Sequence, residues 1–462
     1  MPTSLPVTRR QAVGLLAALV AFLAPLVLDV PGLEEPGERM LAVFLMAIVL
    51  FVTEAIPLVA TAVLILFLQV LMITEQAVVP LPGEPAASSR DLWATLADPV
   101  IILFLGGFLI ADGAAKYSLD RNLAALILTP FRKDARAAML ALILMTAVLS
   151  MFMSNTATTA TMFAVLLPVL AGLPTAAART GFALAIPVAA NVGGIGTPVG
   201  SPPNAIALGA LAVQGRTISF VDWMVATVPL MLLLLLLSWA YLGWRYVPAR
   251  TPLDLHLTTS FTKTPAAVVF YVTAGATVLL WLTEALHGIP STTVGFLPVV
   301  VLLATTVMTG DDLRALQWPV LWLVAGGIAL GHGVGASGLD DWLIGLVDWS
   351  AMPGTVLLLV LAGVAVGLGA VISNSAMANL LIPIALALAG TLGLDLVTVA
   401  LVVAVACGLG MFLPVSTPPN AIAYATGTIT TGHMAAAGVV IGLTGALLTA
   451  LVLPHYWSLV GV

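Results

Sequence analysis

Residues 12–28, 41–52 and 225–239 contain no charged side chain. Stretches that long and that apolar cannot face water, and none alternates with the period of two that a lipid-facing barrel strand requires, so they read as membrane-embedded helices. Backbone polar groups in lipid must be satisfied internally, which leaves helices as the only spans for this pattern. Composition agrees: charged residues make up 8% of the chain, whereas a soluble domain carries about a quarter. The net charge of −6 carries no message about ligands. One cysteine, Cys407, excludes an intrachain disulfide and a multi-cysteine metal site. Arg9-Arg10 followed by an apolar run has the outline of a signal peptide. No clear small-residue cleavage site follows, so the run is read as a retained first span.

The chain repeats itself. The run from Asp98-Pro99 through Gly106-Gly107 to Asp112 is echoed by Trp318-Pro319 through Gly326-Gly327 to His332, and Leu119-Asp120 by Leu339-Asp340. Thr53-Glu54-Ala55 ahead of Pro57 returns as Thr283-Glu284-Ala285 ahead of Pro290. Ser154-Asn155-Thr156 returns as Ser373-Asn374-Ser375, and Gly200-Ser201-Pro202-Pro203-Asn204 as Ser416-Thr417-Pro418-Pro419-Asn420. Four landmarks in one order mark a duplicated unit.

The expected architecture is an all-α integral membrane protein of about 11 transmembrane helices plus two re-entrant hairpins. Residues 1–37 hold an extra N-terminal helix. Residues 38–245 form the first repeat, with a hairpin at 137–175 and a broken helix at 180–213. A cytoplasmic connector occupies 246–263. Residues 264–457 form the second repeat, with a hairpin at 352–390 and a broken helix at 394–428. Further spans are expected near 57–74, 98–116, 222–243, 290–308, 317–335 and 433–457. Five crossings per unit invert the second unit relative to the first. With the N-terminus cytoplasmic, only Arg39, Arg90 and Arg216 of the 15 basic residues fall outside, as the positive-inside rule asks. The basic connector holding Lys116, Arg121, Arg132, Lys133 and Arg136 contrasts with its acidic repeat mate at Asp340, Asp341 and Asp348, and Arg250 joins the inner set.

Hydroxyls and amides stand in the middle of apolar sequence at 149–161 and again at the second Ser-Asn pair. A hairpin tip inside the membrane leaves backbone groups that persist only when buried in protein or lining a cavity. Its carbonyls and side-chain oxygens suit a dehydrated hard cation such as sodium. The amides and hydroxyls at its helix N-terminus suit an anion. Each Pro-Pro-Asn interrupts an apolar span, since paired prolines remove two backbone donors. Broken helices at matching repeat positions point to the midplane binding site of a transporter. Asn204 and Asn420 are expected to tie the broken ends together, because a buried amide must find partners. His256, His287, His332, His433 and His455 show no metal-ligand spacing. The motif serines have no neighbouring His or Lys, so no enzyme is expected.

With both motif pairs present, the chain resembles the divalent anion–sodium symporter (DASS) family of di- and tricarboxylate transporters, over nearly its whole length. The resemblance implies a homodimer, with a scaffold holding an elevator-type transport domain, in the cell inner membrane. It implies sodium-coupled import of C4-dicarboxylates (succinate, malate, fumarate), with Na+ as the co-transported ion. Alternatives are a related carrier for citrate, sulfate or another anion, or a dicarboxylate exchanger. Carried over by position, one sodium site would use Ser150, Ser154, Asn155 and Gly200. The other would use Gly369, Ile372, Asn374 and Ser416. Substrate would meet Asn155, Thr156, Ser201, Asn374, Ser375, Thr417 and Pro418. None of these is Lys or Arg, so bound cations and helix dipoles must neutralise a dianion.

Overall fold

The computed structural model describes residues 8–28, 30–131, 134–248, 251, 259–346 and 352–460; Arg132, Lys133, Arg250, His256 and Asp348 lie outside them. Among the described residues the regular structure is helical throughout, without a strand. Nine described helices are long and apolar enough to cross a membrane, by length and composition alone. Two of these, Ala135–Phe152 and Asn374–Thr391, are arms of the predicted hairpins, so length by itself does not separate an arm from a crossing.

The first hairpin is built from Ala135–Phe152 and Asn155–Gly172, the second from Gly354–Gly369 and Asn374–Thr391. Each second arm starts at a serine N-cap in extended geometry: Ser154 at φ −61, ψ 141 and Ser373 at φ −64, ψ 144. Each cap hydroxyl accepts from the third helical N–H, Ala157 or Ala376, at 3.2 Å, satisfying one donor that the helix leaves open. The first broken helix runs Ala176–Gly193, a single 3-10 turn at Gly194–Gly196, then Pro202–Val213. The second runs Leu396–Gly408, then Pro418–Ala425. Proline at the first helical positions suits a helix start, where its missing N–H has no partner to lose.

The repeated glycine pairs explain how the halves pack. A Cβ on Gly106 would stand 1.7 Å from Gly295 O, and a Cβ on Gly326 would stand 2.6 Å from Ala62 Cβ. Gly295 and Ala62 are themselves repeat mates, each five residues beyond Pro290 or Pro57. Each half therefore presses its glycine helix onto the same position of the other, and only a missing side chain permits that approach. The expected span 290–308 is interrupted there: helix covers Ser291–Val294 and Leu297–Ala304, with Gly295 and Phe296 between. The closing segment contains a π turn at Val439–Leu443 between Thr431–Gly438 and Thr444–Leu451. The N-terminal helix Arg9–Val27 lies along Glu35–Thr53, with Gly14 against Thr53 and Ala55.

The core surrounds the breaks. Trp223 is fully buried, and its Nε1 donates at 3.0 Å to Ile195 O in the 3-10 turn. Trp457 Nε1 donates to Ala226 O at 2.9 Å, so the last described helix holds the one that supports the first break. An indole gives one donor, and Trp223 spends its donor on a carbonyl of the break while Trp457 spends its donor on the helix that carries Trp223.

Candidate functional site

Both tips and both breaks open onto one cavity of about 540 Å³. Of the predicted residues, Ser154, Asn155, Thr156, Gly200 and Ser201 line it from the first half. Asn374, Ser375, Ser416, Thr417 and Pro418 line it from the second. Ser150, Gly369 and Ile372 stand behind the tips and do not reach the wall. Phe104, Phe108, Leu58, Val320 and Leu323 supply apolar surface, and no Lys, Arg, Asp or Glu is among the lining residues. Glu54 and Glu284 are also absent from the wall.

Four helices begin at this cavity, for their N-caps Ser154, Ser201, Ser373 and Thr417 all line it. The two hairpin helices leave N–H groups open, whereas the break helices open on Pro202-Pro203 and Pro418-Pro419, which have none to give. All four helix N-termini carry partial positive charge. Their convergence provides a positive field without a cationic side chain. In the two hairpins these are helices of 18 residues each.

The breaks are tied by the expected asparagines. Asn204 Nδ2 donates to Gly194 O at 2.9 Å and Thr197 O at 2.7 Å; Asn420 Nδ2 donates to Met411 O and Leu413 O at 3.0 Å each. Each break also holds its hairpin. Thr197 Oγ1 donates to Met151 O, and Ser416 Oγ donates at 2.7 Å to Ala370 O, the repeat mate of that carbonyl. The same carbonyl is thus satisfied in both halves by hydroxyls from different break positions.

The tips differ. Ser150, fully buried, donates from Oγ to Ala190 O at 2.8 Å. With its Nδ2 turned inward, Asn155 donates to Ser150 Oγ at 2.6 Å and faces Gly200 O at 3.1 Å and Ala190 O at 3.3 Å. At the second tip the mate of Ser150 is Gly369, whose backbone abuts Gly410, and Asn374 Oδ1 is buried without a partner among the described residues. A side chain at Gly194 would collide with the Asn155 amide, its Cβ falling 2.5 Å from the nearer end of that group. Glycine there is a condition of the site.

Three contributors escaped the sequence reading. Asn191, 2% exposed, lines the cavity from the first broken helix and donates from Nδ2 to Thr417 Oγ1 and Asn420 Oδ1, both at 3.2 Å. Gln317, which precedes Trp318–Ala336, lines the cavity too and donates from Nε2 to Ser154 Oγ at 2.8 Å. The Ala190 carbonyl joins the first tip. For Asn191 a signal existed: an amide in an apolar helix just before the break. Gln317 and Ala190 had none, since one sits at a helix start and the other acts through its backbone.

The chain matches the citrate transporter family, CitMHS, over residues 48–406 and 278–460. It is 29% identical to an uncharacterized transporter of Haemophilus influenzae, over 96% of this chain and 97% of that one. It is 28% identical to the sodium-dependent dicarboxylate transporter SdcS of Staphylococcus saprophyticus, over 96% and 90%, and 27% identical to SdcS of Staphylococcus aureus, over 98% and 93%. Its fold matches the crystal structure of the YdaH transporter of Alcanivorax borkumensis with a TM-score of 0.57 at 16% identity, covering 88% of this chain and 98% of that one. A full-length match of this kind, on a chain whose apolar helices enclose a polar midsection, makes it a multi-pass membrane transporter and not an enzyme. The chain belongs to the citrate transporter family CitMHS, and the symporter resemblance carried by its paired motifs holds across nearly its whole length.

Proposed function

We propose that this chain imports C4-dicarboxylates such as succinate, malate and fumarate, coupled to sodium. The observation that carries the reading is the cavity with four helix N-termini and no cationic side chain. Such a wall attracts an anion but cannot neutralise two charges, so co-bound cations must complete it. The first cation is held at Asn155, Ser150 and Gly200, with Ala190 O as a fourth oxygen and Ser154 closing the tip. When Asn155 turns Oδ1 inward instead of Nδ2, four oxygens face one another and a cation takes the place of the amide hydrogens. The second cation is held by Asn374 Oδ1 with oxygens of Gly369, Ile372 and Ser416. Its support is the buried oxygen without a partner. One end of the substrate meets Asn155, Thr156 and Ser201. The other meets Asn374, Ser375, Thr417 and Pro418.

The repeats are inverted, the N-terminus is cytoplasmic, and the hairpins and broken helices move as an elevator against a scaffold in a homodimer of the inner membrane. The reciprocal packing of Gly106 on Gly295 and Gly326 on Ala62 supports a two-fold relation between the halves. The name of the matched family keeps citrate as a second reading for the same site. The test is uptake of labelled succinate into proteoliposomes under a sodium gradient, with citrate, sulfate and aspartate as competitors. Sodium-driven uptake is expected; uptake equal in sodium and in potassium would overturn the coupling. Citrate competing better than succinate would move the substrate to the second reading.

A further inference from the structure

The two hydroxyls that open the breaks are matched in backbone and opposed in polarity. Ser201 sits at φ −152, ψ 151 and Thr417 at φ −143, ψ 148; both line the cavity, each 5% exposed. The Asn204 amide cannot be reversed, because its Nδ2 is spent on two carbonyls. Its Oδ1 therefore faces Ser201 Oγ at 3.0 Å, and an amide oxygen cannot donate, so Ser201 gives its hydrogen to Asn204. Among the described residues nothing donates to the serine oxygen, so its two lone pairs are unused on a residue that lines the cavity.

Thr417 is arranged the other way. Its Oγ1 accepts from Asn420 N at 3.3 Å and from Asn191 Nδ2 at 3.2 Å, which fills both lone pairs. Asn420 Oδ1 accepts from Asn191 Nδ2 and, unlike Asn204 Oδ1, takes no hydrogen from the hydroxyl at its break. Among the described residues the Thr417 hydroxyl donates to none. One residue makes the difference: the mate of Asn191, thirteen positions before the second Asn, is Cys407, which has no amide to offer.

We infer that Asn191 sets Thr417 as a hydrogen-bond donor while Ser201 remains an acceptor, so that the cavity takes a 2-hydroxy dicarboxylate in a defined orientation. The ionised carboxylate far from the hydroxyl accepts from Thr417. The hydroxyl beside the other carboxylate donates to Ser201. Succinate fills the same space but leaves the Ser201 lone pairs without a partner, and a polar group buried without its bond costs affinity. The inference rests on the dicarboxylate reading above and narrows its substrate class.

The experiment measures inhibition of sodium-driven labelled succinate uptake by unlabelled malate and succinate, on full-length protein in proteoliposomes at pH 7.5. Malate is expected to inhibit at a concentration roughly fivefold lower than succinate. In Ser201→Ala the ratio should fall to about one, and Ser201→Thr should restore it. In Asn191→Cys, the residue of the other half, both inhibition constants should rise together, because the weakened contact is one both acids make. Equal inhibition by malate and succinate in the wild type, with sodium-driven uptake intact, overturns this inference alone. So does a malate advantage that survives Ser201→Ala. A malate advantage seen only at acid pH would mark a protonated carboxyl and overturn the hydroxyl assignment. Absence of sodium-driven dicarboxylate uptake altogether overturns the underlying reading and this one with it.

Discussion

At the first tip the inward end of the Asn155 amide lies within reach of Ser150 Oγ, Gly200 O and Ala190 O; at the second, Asn374 Oδ1 is buried with nothing to accept from. The backbones that present them are nearly superposable in their cap angles. The contrast comes from Ser150 facing Gly369 across the repeat. A tip with a hydroxyl behind it can close on itself when no ion is bound. A tip without one keeps a bare oxygen, at a cost of about 1–3 kcal/mol that the cation proposed there would remove. Duplication supplied the frame twice, and single side chains made the two tips unequal in how far their own polar groups satisfy one another.

The largest effect expected from testing this comparison is on transport itself. Asn155→Asp and Asn374→Asp each replace an amide that bonds both ways with a carboxylate that only accepts. Both should reduce sodium-driven uptake to background while the protein remains monodisperse in size-exclusion chromatography. Wild-type uptake in either would show that tip to be outside the site. Next comes the packing that both halves share. Gly106→Ala should destabilise the fold by about 3 kcal/mol, because its methyl would fall onto the Gly295 carbonyl. Gly326→Ala, facing a side-chain methyl at 2.6 Å, should cost less, and thermal melts of the detergent-solubilised protein give the order.

A smaller effect tests the asymmetry directly. A Cβ on Gly369 would stand 3.4 Å from Asn374 Oδ1 with no closer neighbour, so Gly369→Ser fits and brings a hydroxyl to the bare oxygen. It should stabilise the sodium-free protein by about 1 kcal/mol and shrink the rise in Tm that sodium produces. Ser150→Ala should act in the opposite sense at the first tip.

The smallest effect belongs to an ion pair that one half alone possesses, since the mate of Lys116 is Ala336. Lys116 Nζ meets Asp312 Oδ2 at 2.6 Å. Partial burial tends to raise the Asp312 pKa, but hydrogen bonds from Lys116 and Thr309 outweigh it and hold the carboxyl below its ordinary 3.8. A lowered folded pKa means the stabilisation is complete above the ordinary value and is lost as pH falls through the folded one. Lys116→Met should therefore lower Tm at neutral pH by the equivalent of under about 1 kcal/mol, the pair being partly exposed, and make no difference in strong acid.

Much of this arrangement was legible from residues alone. Helices Ala135–Phe152 with Asn155–Gly172 and Gly354–Gly369 with Asn374–Thr391 occupy the stretches 137–175 and 352–390 where hairpins are expected. Both breaks fall at their prolines, and both asparagines tie the broken ends. These are local events: apolar length, missing N–H groups and an amide that needs partners a few residues away. The interruption at Gly295 was not singled out, although it has a local cause: Pro298, in the first turn of Leu297–Ala304, has no N–H to donate back to Val294 O. The mate helix Leu58–Ile73 runs unbroken under the same packing from Gly326. Gln317 reaching Ser154 and Asn191 reaching Thr417 cross 163 and 226 positions, and no periodicity records a contact at that distance.

By itself the sequence determined the solvent, the duplication, the breaks and the residues that face a common cavity, because each depends on hydrophobicity and backbone chemistry that neighbouring residues already carry. Only the tertiary structure decided which way each hydrogen bond runs. Ser201 and Thr417 are equivalent as letters, and a hydroxyl can donate or accept. It takes an amide delivered from the opposite half to fill the lone pairs of one and leave the other open.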